Sequence, residues 1–511
     1  MRFGSITTNI IADGLVYSID PANRASYPRT GTTVKDTIGN INGTLSTAEM
    51  FNVQSIKTFT FDGVDEFLNA NRTFSDPSFT ISAWFKFAGV LDAIQPIVST
   101  REGNGGGSNG FIIKIEGGGL TWDVYDAGQA RVFLSFSDTT SWNHALISYD
   151  GSTNNMAAYL NGSLVGTDNH NYDPSSTNLT MGKYRTGTHF FNGDIGPVQV
   201  YNRALSATEV MKNFNVLKDR MGYVAPITVT FLVVAGGGGS MGGYVRGVGG
   251  GGAGGLRTSF GSTSGGGASA ESNITALPGT SYTVTIGAGG AGPANATNAF
   301  NLGNSGNSSV FASITSIGGG RGGSGNNGNG STGGSAGGHG GTSNSIPTSG
   351  TTGQGTAGGT NNNSGIGAGG GGASTAGTAG ASGGTGGNGL AVSVTGTSVT
   401  YAGGGGGGAN AGTGGTGGTG GGGNGGTKST QTSGVDGSIN TGGGAGGAVN
   451  IPLGFNGGYG PGHSGGSGVV ILRYSSDYTI TSGAGLTSST TTSGGDKITI
   501  FTAGTDTITF S

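Results

Sequence analysis

The sequence contains no cysteine in its 511 residues, so neither a disulfide framework nor a thiolate metal site can form. Proline is scarce, 12 residues against 118 glycines, and that imbalance excludes collagen. Charge is scarce as well: 9% of residues are charged, 22 basic against 25 acidic, giving a net charge of −3. No basic footprint for nucleic acid is visible. Disordered chains combine low hydrophobicity with high net charge, whereas this near-neutral chain is 32% hydrophobic, so order is expected. No apolar run is long enough to span a bilayer, and Met1-Arg2-Phe3-Gly4-Ser5-Ile6-Thr7-Thr8 has no stretch of signal-peptide length, so neither membrane insertion nor signal-directed export is expected.

Composition changes abruptly near Pro226, beyond which charge almost vanishes. Before it, short apolar runs alternate with turn residues, the pattern of an antiparallel sandwich with one buried face per sheet. Phe79 to Phe85 alternates strictly; Gly110 to Ile115 and His144 to Tyr149 are also strand length. Met156 to Leu160 runs into Asn161-Gly162, a dipeptide that supplies the positive φ of a tight hairpin, with Leu164-Val165 on the returning strand. Ser206 and Glu209 form a capping box for a helix whose Val210, Phe214 and Leu217 share one face.

Beyond Pro226, strand-like pieces interrupt the glycine: Ile227 to Val234, Tyr282 to Ile286, Ser309 to Ile314, Ala391 to Val394 and Gly468 to Tyr474. Between them glycine recurs at every third position, at Gly377, Gly380, Gly383, Gly386 and Gly389, and again at Gly414, Gly417, Gly420, Gly423 and Gly426. Three is the period of a polyproline-II-type helix, which makes no internal hydrogen bonds. Its backbone groups must therefore find partners outside it. Neighbouring glycine helices can supply them, because without side chains their backbones approach closely. The expectation is an ordered bundle of glycine helices from about Gly236 to Gly466, all-β in class and framed by short strands. The remaining tail, residues 476–511, alternates in a way that suggests a small β-module, able to pair with a neighbouring subunit or with the domain before it.

The segments Gly14 to Asp20, Phe61-Asp62-Gly63-Val64-Asp65-Glu66-Phe67, Thr80 to Phe85, Phe191 to Ile195 and Val200 to Ser206 resemble, in content and order, the laminin-G/concanavalin A-like superfamily. That resemblance covers residues 1–222 and implies a jelly-roll β-sandwich. The pieces Phe231 to Gly236, Gly252 to Arg257 and Gly466 to Tyr474 look like the glycine-rich domain common in bacteriophage virion proteins, over residues 227–475. Similar polyglycine-II bundles occur in phage tail-fibre tip adhesins and in the glycine-rich region of anaplastic lymphoma kinase. Together the two resemblances imply a virion component, assembled in the host cytoplasm with other virion proteins, as a homo-oligomer with a trimer favoured. The expected role is a tail fibre or tip adhesin recognising a host surface glycan or protein. The alternatives are a capsid decoration or tail scaffold without receptor binding, then a polysaccharide hydrolase, then a secreted bacterial adhesin.

Chemistry is thinly signalled. A glycoside hydrolase needs paired carboxylates across the sugar, and the alternating Glu-x-Asp-x-Glu of sandwich enzymes is missing, so no catalytic residue is assigned. The five histidines show no metal-ligand spacing, and Gly423 to Ser429 imitates a phosphate loop with Thr427 where glycine is required. Relatives of this fold hold calcium at the sandwich rim, and the resemblance makes Asp62, Asp65 and Asp194 the candidate ligands; the ordinary use of Asp in turns is backbone capping. Trp122, Tyr125, Trp142 and Tyr172 are candidates to stack on sugar rings, with Asp123 or Asp126 bonding hydroxyls, although indole area is best buried. Tyr459 and Asn361-Asn362-Asn363 are further candidates on turns of the glycine-rich part.

Overall fold

A computed structural model describes residues 10–511 apart from 40, 55, 102–108, 127, 137, 175–177, 185–188, 243–245, 295–301, 326–327, 342–347, 361–364, 381 and 452–459. The chain divides into two compact units, Met1–Val224 and Ala225–Ser511.

The first unit is a sandwich built from β1 (Leu15–Ile19), β2 (Thr33–Val34), β3 (Gly43–Leu45), β4 (Phe51–Asn52), β5 (Thr58–Asp62), β6 (Leu68–Thr73), β7 (Phe79–Phe87), β8 (Gln95–Ser99), β9 (Gly110–Glu116), β10 (Gly119–Asp126), β11 (Gly128–Ser135), β12 (Asn143–Asp150), β13 (Asn155–Leu160), β14 (Ser163–Asn169), β15 (Asn178–Met181) and β16 (Asn192–Tyr201). One sheet runs β14-β13-β12-β7-β16-β5-β4 with β1 also on β16, and the other runs β11-β10-β9-β8-β15-β6-β3-β2. Their inner faces share a core that includes Phe59, Ile81, Phe85, Ile113, Trp122 and Ile147.

The Asn161-Gly162 turn forms as its dipeptide requires, with φ of 51° and 79°, and joins β13 to β14. Helix α1 (Ala207–Leu217) starts on the Ser206–Glu209 capping box. It buries Phe214 and Leu217 on the outer face of the first sheet, against Trp84, Trp142 and Met221. The pattern of one buried face per sheet therefore fails at β7, whose residues are buried on both sides except Lys86.

The second unit contains β17 (Ile227–Val234), β18 (Leu256–Thr258), β19 (Ile274–Ala276), β20 (Ser281–Thr285), β21 (Ser309–Phe311), β22 (Ile314–Ser316), β23 (Leu390–Val392), β24 (Val399–Tyr401), β25 (Val469–Ser475), β26 (Ile480–Ser482), β27 (Leu486–Ser493) and β28 (Asp496–Phe510). The stretch Ser309 to Ile314, which reads as one strand, is a hairpin: Ala312 takes φ of 51° and turns β21 into β22. The C-terminal tail is not a separate module. Its long strand β28 pairs with β25 and β20 of the preceding domain, as well as with β26 and β27. Alternation along β17 and β25 gives this sheet two apolar faces: Phe231, Val233, Val470 and Leu472 enter one cluster, Leu232, Val234, Val469 and Ile471 another. The second cluster includes Ala253, Ala373 and Ala402, small residues of the glycine-rich segments.

Those segments form a lattice of three-residue helices. The stretch from Gly403 to Ala409 shows its rule. Residues three apart donate to one neighbour: Gly403, Gly406 and Ala409 to the carbonyls of Gly420, Gly423 and Gly426. Gly404 and Gly407 donate to Gly387 and Gly384, while Gly405 and Gly408 donate to Gly251 and Val248. Carbonyls of the same stretch accept from Gly444 and Gly447, from Gly418 and Gly415, and from Gly370 and Gly367. These bonds are all 2.8–3.0 Å long, so backbone groups without partners inside their own helix find them laterally. The glycines at three-residue spacing are what permits the approach. A Cβ on Gly377, Gly383, Gly386, Gly389, Gly414, Gly417 or Gly423 would collide with the carbonyl of Gly369, Gly407, Gly404, Tyr401, Gly425, Gly422 or Val435 respectively. Gly380 and Gly420 differ: the first meets Ser382 O at 2.6 Å, and the second turns the chain with φ of +95°.

Candidate recognition face

Strands β9, β10 and β11 pair antiparallel at one end of the second sheet, in a register that sets Asp123 opposite Ile112 on one side and Arg131 on the other. Side chains alternate across a strand. Ile113, Ile115, Leu120, Trp122 and Val124 therefore enter the core, and Ile112, Lys114, Glu116, Thr121, Asp123, Tyr125 and Arg131 share the outer face.

This outer face carries a closed ionic network. Asp123, fully buried, accepts from Arg131 Nε at 2.9 Å and Nη2 at 3.0 Å and from the Tyr125 hydroxyl at 2.9 Å. Lys114, 1% exposed, sits 3.5 Å from Asp123 and 2.6 Å from Glu116, which also meets Arg131 at 3.2 Å. Two cations thus face two carboxylates, the arrangement that buried charge requires. Burial pushes the Glu116 carboxyl up, but its bond to Lys114 and the charges of Lys114 and Arg131 outweigh that and hold it below the ordinary glutamate value. Burial, then the Asp123 charge, raises the Tyr125 phenol.

Beside the network lies a small cluster of Ile112, Tyr125 and Tyr184 with Ile94. The Arg101 guanidinium stacks over the Tyr125 ring at 4.0 Å and lies 5.9 Å from that of Tyr184. The Tyr184 hydroxyl is buried and has no hydrogen-bond partner.

Of the candidate sugar-binding residues, Asp123 and Tyr125 are brought together by a hydrogen bond, and the tryptophans are not placed with them. Trp122 follows Thr121 and precedes Asp123 on a strand, so its indole points into the core and is fully buried. Trp142 is 7% exposed and packs beneath α1. Tyr172 is half-buried against Phe79 at 4.8 Å and Tyr149 at 5.5 Å, and burial raises its phenol. Tyr125 is 4% exposed, with its ring taken by Arg101 and its hydroxyl by Asp123. Asp126 ends β10, where its carbonyl meets His170 Nε2 at 3.1 Å. Tyr459 and Asn361-Asn362-Asn363 lie outside the described residues. Sequence reading missed Arg101, Lys114, Glu116, Arg131 and Tyr184. The one available signal was Lys114 and Glu116 alternating with Ile113 and Ile115.

The acidic turn is held by hydrogen bonds within the protein. Asp62 Oδ1 accepts from the backbone N–H of Val64 at 2.8 Å and of Asp65 at 3.3 Å, and the first of these bonds chiefly lowers its carboxyl. Asp65 is exposed, and Asp194 Oδ1 accepts from the Thr60 hydroxyl at 2.5 Å. Among the described residues no three acidic or histidine side chains are grouped to hold a metal ion. Nor is any described helix long and apolar enough to cross a membrane.

Comparison with known proteins matches this division. Residues 62–211 match the model of the concanavalin A-like lectin/glucanases superfamily, and residues 223–475 that of the glycine-rich domain. The chain carries a laminin-G/concanavalin A-like domain followed by a glycine-rich domain. No curated protein matches it. Among solved structures, a Trypanosoma rangeli sialidase in complex with sialic acid is 14% identical, with a TM-score of 0.33, covering 40% of this chain and 33% of its own. The Ruminococcus gnavus IT-sialidase CBM40 bound to alpha2,3 sialyllactose is 21% identical, with a TM-score of 0.24, covering 26% of this chain and 80% of its own. The chain therefore spans about a third of the length of the sialidase it matches.

Proposed function

We propose that the protein is a non-enzymatic bacteriophage virion component, a tail fibre or tip adhesin that recognises a glycan or protein of the host surface as a homo-oligomer. The observation that carries this reading is the backbone-bonded glycine lattice joined on one chain to a lectin-like sandwich. A lattice held by carbonyl and N–H groups buries few polar side chains with which to build a reaction centre, such as Ser240, Ser335 and His339. It offers a rigid support whose side chains, such as Thr385 and Asn388, stand on its exposed rim, and rigid scaffolds that carry exposed polar segments suit recognition.

On the face of β9, β10 and β11 the charge pairing favours recognition over hydrolysis, whereas at the acidic turn burial and the Asp62 charge raise Glu66. A glycosidase acid needs a carboxyl held above its usual value so that it can lend a proton, whereas Glu116 is held below it by Lys114 and Arg131. Electron microscopy of particles labelled with an antibody to this chain tests the reading, alongside adhesion of the purified full chain to host cells. Label at a fibre or tail tip together with cell adhesion is the expected result. Label spread over the capsid, without adhesion, would replace this reading with a decoration protein.

A further inference from the structure

We infer that the outer face of the second sheet at Arg101 binds an anionic oxygen group, the carboxylate or phosphate substituent of a charged polysaccharide; the host surface as its source rests on the adhesin reading above. The charges on this face do not cancel. Lys114 and Arg131 are matched by Glu116 and Asp123 through four ion pairs, which leaves Arg101 as a fifth charge that makes no contact ion pair among the described residues and acts only at longer range on Glu116. The residue is half-buried, and its Nε, itself buried, has no hydrogen-bond partner among the described residues.

The surroundings fix this cation in place. The Tyr125 ring under the guanidinium cannot turn away, because its hydroxyl is bonded to Asp123, and Asp123 is itself held by Arg131 and Lys114. A planar fork of donors held flat on an aromatic ring suits two oxygens of one carboxylate or phosphate. The second, independent feature is Tyr184. It is completely buried beside Tyr125 and beneath the same guanidinium, and its hydroxyl lacks an acceptor. Buried hydroxyls are ordinarily hydrogen-bonded, so an unmet one beside an unpaired cation marks a place for an acceptor that carries negative charge. Neutral sugar hydroxyls would meet Tyr184 but leave Arg101 unmatched.

The test titrates the full chain with polygalacturonate, with inorganic phosphate and with neutral dextran. Binding of at least one anion, none of dextran, and affinity that falls as salt rises are expected. Arg101→Gln should weaken anion binding at least tenfold with an unchanged melting temperature; Arg101→Lys, which keeps the charge but loses the fork, and Tyr184→Phe should each weaken it several-fold. Preference for polygalacturonate identifies an acidic sugar, and preference for phosphate a phosphorylated polymer. Equal anion binding by the wild type and Arg101→Gln, or no anion binding by the wild type, overturns the site. Host-cell adhesion of the same proteins separates the two readings. A wild type that adheres to cells yet binds neither anion overturns this site alone, whereas one that binds an anion through Arg101 and does not adhere overturns the adhesin reading alone.

Discussion

A single carbon added to Gly386 would collide with the carbonyl oxygen of Gly404, which lies in the neighbouring helix of the lattice. Gly386 in turn donates its N–H to the carbonyl of Thr416 at 2.9 Å, and Gly404 donates to Gly387 at 2.8 Å. The contact is backbone against backbone, so no side chain can swing aside to relieve it. Gly386→Ala should therefore destabilise the second unit by on the order of 2–4 kcal/mol, combining overpacking with stretched or lost lateral bonds. Thr385→Ala is the matched control: its side chain is exposed, and the bond at that residue uses its backbone N–H. Denaturant unfolding of both variants checks this, and equal stability of the two would remove the steric basis of the lattice.

The lattice should also be visible without mutation. Fixing backbone costs roughly 1–2 kcal/mol per residue, and glycine loses more freedom than most, so the segments hold only if their bonds act together. Amide exchange at Gly250 to Gly252 and Gly403 to Gly408 should be strongly protected, since each of these N–H groups donates to a carbonyl of another segment. Uniformly fast exchange from Gly236 to Gly466 would describe a flexible linker instead.

What was legible in the sequence is what local rules encode. The Asn161-Gly162 hairpin, the Ser206–Glu209 cap and the strand Ile227 to Val234 depend on residues within a turn or on simple alternation, and all three form. The three-residue spacing of glycine suggested the helix type but not which positions point inward: Gly386 and Gly389 are buried, Gly377 and Gly414 only half-buried. It could not name partners, because Gly405 bonds to Gly251 and Gly370 across more than a hundred residues or a few tens with equal ease. The turn at Ala312 escaped notice because a non-glycine residue there takes a left-handed conformation. Alternation in the tail left its partner open between a neighbouring subunit and the domain before it, because β28 is specified by its pairing to β25 and to the distant β20. The recognition face needed register, since only the pairing of β9, β10 and β11 brings Lys114, Glu116, Asp123 and Arg131 together.

Calcium should leave the protein unchanged. Asp62 spends its carboxylate on two backbone N–H groups, and among the described residues no three acidic or histidine side chains are grouped to hold a metal ion. A ligand that bound only the native state would raise the melting temperature by mass action. Melting curves in millimolar calcium and in chelator should coincide; a rise with calcium would restore Asp62, Asp65 and Asp194 as ligands.

The ion network predicts an asymmetry between partners. Removing Arg131 in Arg131→Met leaves Asp123 fully buried with only Lys114 and the Tyr125 hydroxyl, so the sandwich should lose on the order of 3 kcal/mol. Arg203→Met, at an exposed pair with Asp13 and a half-buried one with Glu209, should cost on the order of 1 kcal/mol. Urea unfolding followed by tryptophan fluorescence measures both. Equal losses would mean that the buried network is no more tightly coupled than the surface one.

His144 should make the first unit acid-sensitive in a defined window. Its ring is fully buried beside the stacked pair of Trp84, at 5.1 Å, and Phe214, at 6.1 Å, and neither ring nitrogen has a hydrogen-bond partner among the described residues. Burial alone pushes its pKa from 6.5 down to about 3. In the unfolded chain the imidazole takes up a proton as the pH falls through 6.5, while in the folded chain it stays neutral until about pH 3. The unfolded state binds more protons across that interval, so stability is fully present above about pH 6.5 and is lost progressively towards pH 3. The loss should be on the order of several kcal/mol, one pKa unit being worth about 1.4. His144→Phe keeps an aromatic ring beside Trp84 and Phe214 and removes the titration, so its stability should fall less over the same interval. Carboxylate protonation at the acid end is common to both proteins and cancels in the difference. His339 and His463 are also lowered by burial, but they belong to the second unit. All 3 tryptophans lie in the first, so fluorescence reads the right transition. Parallel stability curves for the wild type and His144→Phe between pH 7 and 4 would show that this ring is not the acid-sensitive group.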